Sequence, residues 1–110
     1  MTRPDNKLFT IDDSEVKVSV GETFAIGFHR HGSVGEDAEF EIVDESIVEF
    51  LREESEYLHP ERLRPGITGG DAERCKWLFM AKQAGRTKII VRELFRFKVE
   101  REGSLTVIVG

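Results

Sequence analysis

The sequence predicts an all-β domain, an antiparallel β-sandwich of about seven short strands. Apolar and polar residues alternate at period two through most apolar segments, the pattern of a half-buried strand. Turn-forming residues punctuate those segments at short intervals: Gly21-Glu22, Asp44-Glu45-Ser46, Ala84-Gly85 and Glu102-Gly103-Ser104. No long segment carries the 3.6-residue period of a helix, and there is neither an internal repeat nor a low-complexity run.

Taken in order, residues 1–14 read as an N-terminal tail and lead-in, frayed over its first seven residues, and 15–110 as the domain. Val16, Val18 and Val20 alternate with Lys17 and Ser19. After Gly21-Glu22, Phe24, Ile26 and Phe28 alternate in the same way, so the two segments read as a hairpin. His29 to Asp37 is a loop with Gly32 and Gly35, and Phe40 and Ile42 mark a third strand. Ile47 to Leu51 is a short strand. Arg52 to Arg64, charged and carrying Pro60, reads as an irregular excursion with room for a helical turn at Glu53 to Leu58.

Cys75, Trp77, Phe79 and Ala81 then share one face of the clearest strand in the chain. Thr87 to Leu94 is β-rich, and Phe95, Phe97 and Val99 continue the alternation. Glu102-Gly103-Ser104 turns the chain into a last strand, Leu105 to Val109.

Composition bounds what such a domain can do. A length of 110 residues suits one domain, and folding at this size hides roughly two-thirds of the unfolded chain's surface. A hydrophobic fraction of 39% with eight Phe supplies a core. The net charge of −5 argues against general binding to nucleic acid or anionic lipid. No apolar run approaches the ~18 residues of a membrane span. The single Cys75 can form neither an internal disulfide nor, alone, a Cys-rich zinc site. The start, Met1 to Lys7, lacks the apolar stretch of a signal peptide. A cytoplasmic location follows if Met1 is the native start, and a periplasmic or secreted one if a leader has been removed.

Candidate chemistry is sparse. Three of the ten glycines fall within five residues at Gly66-Ile67-Thr68-Gly69-Gly70, just before the clearest strand. Glycine admits other backbone closely, and binding residues concentrate on such loops. No Gly-Lys-Ser/Thr follows, and the spacing is not that of a dinucleotide fingerprint, so nothing here cradles phosphate. An ordinary connector is the bland alternative.

His29 and His31 would share a strand face and could ligate a metal with His59 or a carboxylate, but solvated histidines explain them as well. Cys75 could be a nucleophile, yet its place in an apolar alternation makes it core filling. Glu36, Asp37, Glu39 and Glu41 match no calcium loop and read as a solvated strand face. Phe95-Arg96-Phe97 reads as core strand by default, although aromatics and Arg near a strand end also anchor binding surfaces. No enzyme constellation and no cofactor site emerges.

A family resemblance covers the chain from about Val16 to Val109. Val18-Ser19-Val20-Gly21-Glu22, the glycine loop ending in Gly69-Gly70, and Ala84-Gly85 between two strands resemble the chagasin-type inhibitors of papain-like cysteine peptidases. The resemblance implies an immunoglobulin-like β-sandwich without a disulfide, binding through three loops clustered at one end. The family's first loop reads Asn-Pro-Thr-Thr-Gly. Its register falls on His31-Gly32-Ser33-Val34-Gly35, where Gly35 matches and Ser33 replaces Thr. The second loop is Gly66-Ile67-Thr68-Gly69-Gly70. The third reads Arg-Pro-Trp in the family and falls on Phe95-Arg96-Phe97, with Phe97 as the aromatic in place of Trp.

The resemblance therefore implies a reversible, non-enzymatic inhibitor that occludes a peptidase cleft as a monomer and needs no cofactor or metal. The alternative is a non-inhibitory protein-interaction module on the same scaffold. The absence of the loop prolines favours it, because flexible loops lose more entropy on binding.

Overall fold

The computed structural model describes residues 7–31, 35–57 and 72–110. Among them the chain forms eight strands: β1 (Lys7–Phe9), β2 (Glu15–Val18), β3 (Thr23–His31), β4 (Glu36–Ile42), β5 (Val48–Tyr57), β6 (Ala72–Ala81), β7 (Gly85–Phe95) and β8 (Lys98–Val109). They build two four-stranded sheets, ordered β1-β3-β6-β5 and β2-β8-β7-β4, and no helix occurs among the described residues. This is an all-β, immunoglobulin-like sandwich. Its single cysteine, Cys75, is a buried free thiol.

The predicted alternations set the inner faces. Phe24, Ile26 and Phe28 of β3, Cys75, Trp77, Phe79 and Ala81 of β6, and Leu105, Val107 and Val109 of β8 are all buried in one core. Aromatic rings bind the two sheets together. Phe40, on β4 of one sheet, lies 4.9 Å from Trp77 and 5.2 Å from Phe79 on β6 of the other. Phe79 in turn stacks on Phe24 at 5.4 Å. Such pairs add about 0.5–1.5 kcal/mol each beyond the area they bury. Thr87 is the polar side chain in this interior, and its Oγ1 accepts the Asp44 N–H at 2.8 Å.

Four expectations are corrected. First, β2 and β3 do not form a hairpin. β2 pairs with β8 and β3 with β1 and β6, in opposite sheets. Alternation reports which side chains face inward and is indifferent to which strand supplies the hydrogen bonds. The turn between them crosses the sandwich edge, where the Gly21 N–H donates to the Ala81 carbonyl at 2.8 Å. Val20, the expected third inward valine, lies beyond the end of β2 and is exposed.

Second, the sandwich is not wholly antiparallel, because β1 runs parallel to β3 and β2 parallel to β8. Third, residues 52–57 are neither irregular nor helical. They continue β5 in register with β6 after a bulge between Phe50 and Arg52. β5 is an edge strand, and its charges suit that place: Lys76 pairs with Glu54 at 3.6 Å and Arg74 with Glu56 at 3.3 Å across the strands.

Fourth, the chain does not turn at Glu102-Gly103-Ser104, where β8 runs straight through. Gly103 is required there for another reason. A Cβ on it would lie 2.8 Å from Ile11 Cγ1, in the segment that crosses from β1 to β2.

Cys75 is 1% exposed, and burial pushes its thiol pKa above the ordinary value. The thiolate is the reactive species, so the folded protein should resist modification. A thiol reagent in excess is expected to leave Cys75 intact under native conditions and to label it promptly in denaturant. Prompt labelling of the native protein would restore a nucleophilic role.

Candidate functional site at the loop end

Strand register gathers the three predicted segments' roots at one end of the sandwich. His31, last in β3, stands opposite Ala72, first in β6, and Tyr57, last in β5, stands opposite Glu73. In the other sheet Glu36 pairs with Phe95, which pairs with Lys98. Within that second group the Arg96 N–H donates to the Gly35 carbonyl at 2.8 Å, and the Arg30–Asp37 ion pair, at 3.5 Å, links it to the first. Of the predicted site residues, Gly32, Ser33 and Val34, and Gly66, Ile67, Thr68, Gly69 and Gly70, lie outside the described residues. The described ones are the His31 backbone, Gly35, Phe95, Arg96 and Phe97.

Phe95-Arg96-Phe97 is not a continuous strand. Arg96 and Phe97 are the two central residues of the β7–β8 hairpin, with φ of 52° and 71°. Positive φ at both positions is the two-residue turn whose twist matches its flanking strands, and it ordinarily selects Asn-Gly. An L-residue with a side chain costs roughly 1–2 kcal/mol in that conformation. Arg96 is braced by its bond to Gly35 and by its guanidinium, 5.0 Å from the centre of the Phe95 ring. Gly35, at φ +87°, leaves space for it, since a Cβ there would lie 2.9 Å from Arg96 Cγ. A bulge follows on β8, where Glu93 pairs with Arg101 but Leu94 with Val99.

The outcome is a phenylalanine presented to solvent. Phe97 is 99% exposed, so it is not core. Val99, on the same arm, is also largely exposed, while Phe95 is half-buried beneath Arg96. Replacing Phe97 by Gly relieves the strained backbone and removes no packing. The variant is expected to be more stable by about 0.5–1 kcal/mol, after the extra chain entropy of glycine. Thermal unfolding checks this, and a lowered melting temperature would mean that the ring supports the fold.

Beneath the loop roots lies a charged cluster that sequence reading missed. Arg30 follows Phe24, Ile26 and Phe28 at period two and so points inward. Its guanidinium grips Glu73 at two points, Nε–Oε1 at 3.2 Å and Nη2–Oε2 at 3.3 Å. It also donates to Glu53 on β5 at 3.1 Å and to Asp37 on β4, in the facing sheet, at 3.5 Å. The hydrogen bonds to Glu73, then those to Glu53, raise the guanidinium pKa beyond its ordinary value. Glu53 accepts a further bond from Trp77 Nε1 at 3.2 Å. The available signal was an arginine occupying an inward place in an apolar alternation.

The remaining candidates divide by position. Glu39 and Glu41 flank Arg92 at 3.4 and 3.1 Å on the outer face, as a solvated ion-pair network. Of the acidic run, Glu36 and Asp37 lie at the loop end, and of these two it is Asp37 that joins the Arg30 cluster. His29 is exposed, and no group of three metal-ligating side chains is present among the described residues.

Comparison with known proteins bears on the fold. No protein-family model matches the chain, and a comparison with curated protein sequences finds no match. Several solved structures are similar in shape, EhICP2 and amebosin among them. The cysteine protease inhibitor EhICP2 from Entamoeba histolytica superposes with a TM-score of 0.75 at 13% identity, covering 94% of this chain and 95% of its own. Amebosin superposes with a TM-score of 0.61 at 20% identity, covering 97% of this chain and all of its own, 100%.

Proposed function

We propose that this protein is a reversible inhibitor of papain-like cysteine peptidases, acting as a wedge whose loop end fills the active-site cleft. The observation that carries the reading is Phe97. A fully exposed aromatic is held on a strained hairpin, at the same end as the roots of the other two segments. Strain of this kind persists where the surroundings impose it, and it concentrates at ligand clamps. A whole-chain likeness in fold to a cysteine protease inhibitor supports the same assignment.

In this reading the segment His31 to Gly35 approaches the peptidase's catalytic cysteine, and Gly66 to Gly70 offer backbone groups for β-like pairing. Phe97 enters an apolar hollow, with Phe95 and Arg96 at its base. No bond is made or broken on the inhibitor, no cofactor takes part, and the acidic monomer has no role with nucleic acid or membrane. The altered first and third loops favour the second reading, a non-inhibitory module binding another protein. Titration of papain with the purified protein separates the two. Residual activity is expected to fall with added protein and to recover on dilution, leaving the inhibitor chain uncut. Several papain-like enzymes fully active at micromolar inhibitor would make the module reading preferable.

A further inference from the structure

Arg30 stands immediately before His31, Asp37 is the second residue of β4, two after Gly35, and Glu73 is the second residue of β6, which follows the segment 58–71. One guanidinium thus ties the strand ends on both sides of segment 32–34 and the return end of segment 58–71, and it crosses from one sheet to the other. The pairing with Glu73 is bidentate, so it fixes angle as well as distance, which a point charge cannot do. Arg30 and Glu73 are largely shielded, with side chains 23% and 15% exposed, so salt screens them less than a surface pair.

We propose that Arg30 is a positioning residue for the peptidase-binding end, setting the separation of the strand ends of β3, β4, β5 and β6 before a partner arrives. Pre-spacing removes an ordering cost from binding. The link to inhibition rests on the function proposed above; the spacing of the strand ends does not.

Three variants of the full chain test it. Arg30→Lys keeps the charge and loses the fork, Arg30→Met loses both, and Asp37→Asn breaks only the link to the facing sheet. Trp77 is the only tryptophan, so its indole N–H resonance reports on Glu53 and through it on Arg30. Arg30→Lys is expected to melt close to the parent, to move the indole resonance and the amides of Gly35, Asp37 and Glu73, and to raise the inhibition constant for papain about tenfold. A merely structural role predicts instead an inhibition constant that is unchanged once corrected for the folded fraction. That result, or unmoved resonances in Arg30→Lys and Asp37→Asn, overturns the proposal. Should Arg30→Met fail to fold, the other two variants decide. Should the parent leave papain active, the inhibitor reading falls by itself, and the resonances still support or overturn the positioning.

Discussion

Phe97→Ala is expected to weaken inhibition of papain about thirtyfold or more, some 2 kcal/mol, while leaving the melting temperature where it was. The magnitude follows from what the ring can do. Burying a phenylalanine that was fully exposed is worth about 1.5–3 kcal/mol, and Phe97 starts at 99% exposure. It therefore gains nearly its whole area on entering a hollow, and it loses little freedom because its backbone is already fixed at φ 71°. Alanine suffers the same backbone strain as phenylalanine, so the substitution isolates the ring. Inhibition constants and thermal unfolding measured side by side decide the matter. Equal inhibition by the two proteins would remove Phe97 as an anchor.

Phe79→Ala reverses the pattern. It is expected to destabilise the fold by about 3–5 kcal/mol, a large part of the roughly 5–15 kcal/mol that holds a domain together. Phe79 is 0% exposed and touches Phe24 and Phe50 in its own sheet and Phe40 in the facing one. Removing the ring opens a cavity that two sheets line, and neither can collapse into it without moving the other. A drop in melting temperature of roughly 15 °C or more corresponds to that cost. A drop below about 5 °C would mean that the sheets are not packed through this ring. Inhibition per folded molecule should change little at low temperature, since Phe79 lies away from the loop end.

Two links hold the described strand ends together at the end that presents Phe97. Arg96 and Gly35 join the first segment to the hairpin through backbone. Arg30 joins the first segment to the strand that follows the glycine loop through side chains. Among the described residues, both links lie beyond the ring pair of Phe28 with Trp77, whose centroids are 4.2 Å apart.

The sequence by itself determined which side chains face inward. Phe24, Ile26 and Phe28, and Cys75, Trp77, Phe79 and Ala81, lie where alternation put them, because the two-residue period of a strand is a property of its backbone alone. The inert environment of Cys75 follows from the same pattern. Only the tertiary structure decided which sheet each strand joins, since β2 and β3 carry like patterns and part company at Gly21. It also decided where the last hairpin turns. Glu102-Gly103-Ser104 has the composition of a turn, yet its glycine answers to Ile11, distant in the chain. Arg96-Phe97 lacks turn composition and is bent by contacts with Gly35. The role of Arg30 was equally hidden, because its carboxylates lie 7, 23 and 43 residues away. A charge can occupy an inward position only when the fold brings its partners there, and no local pattern records that.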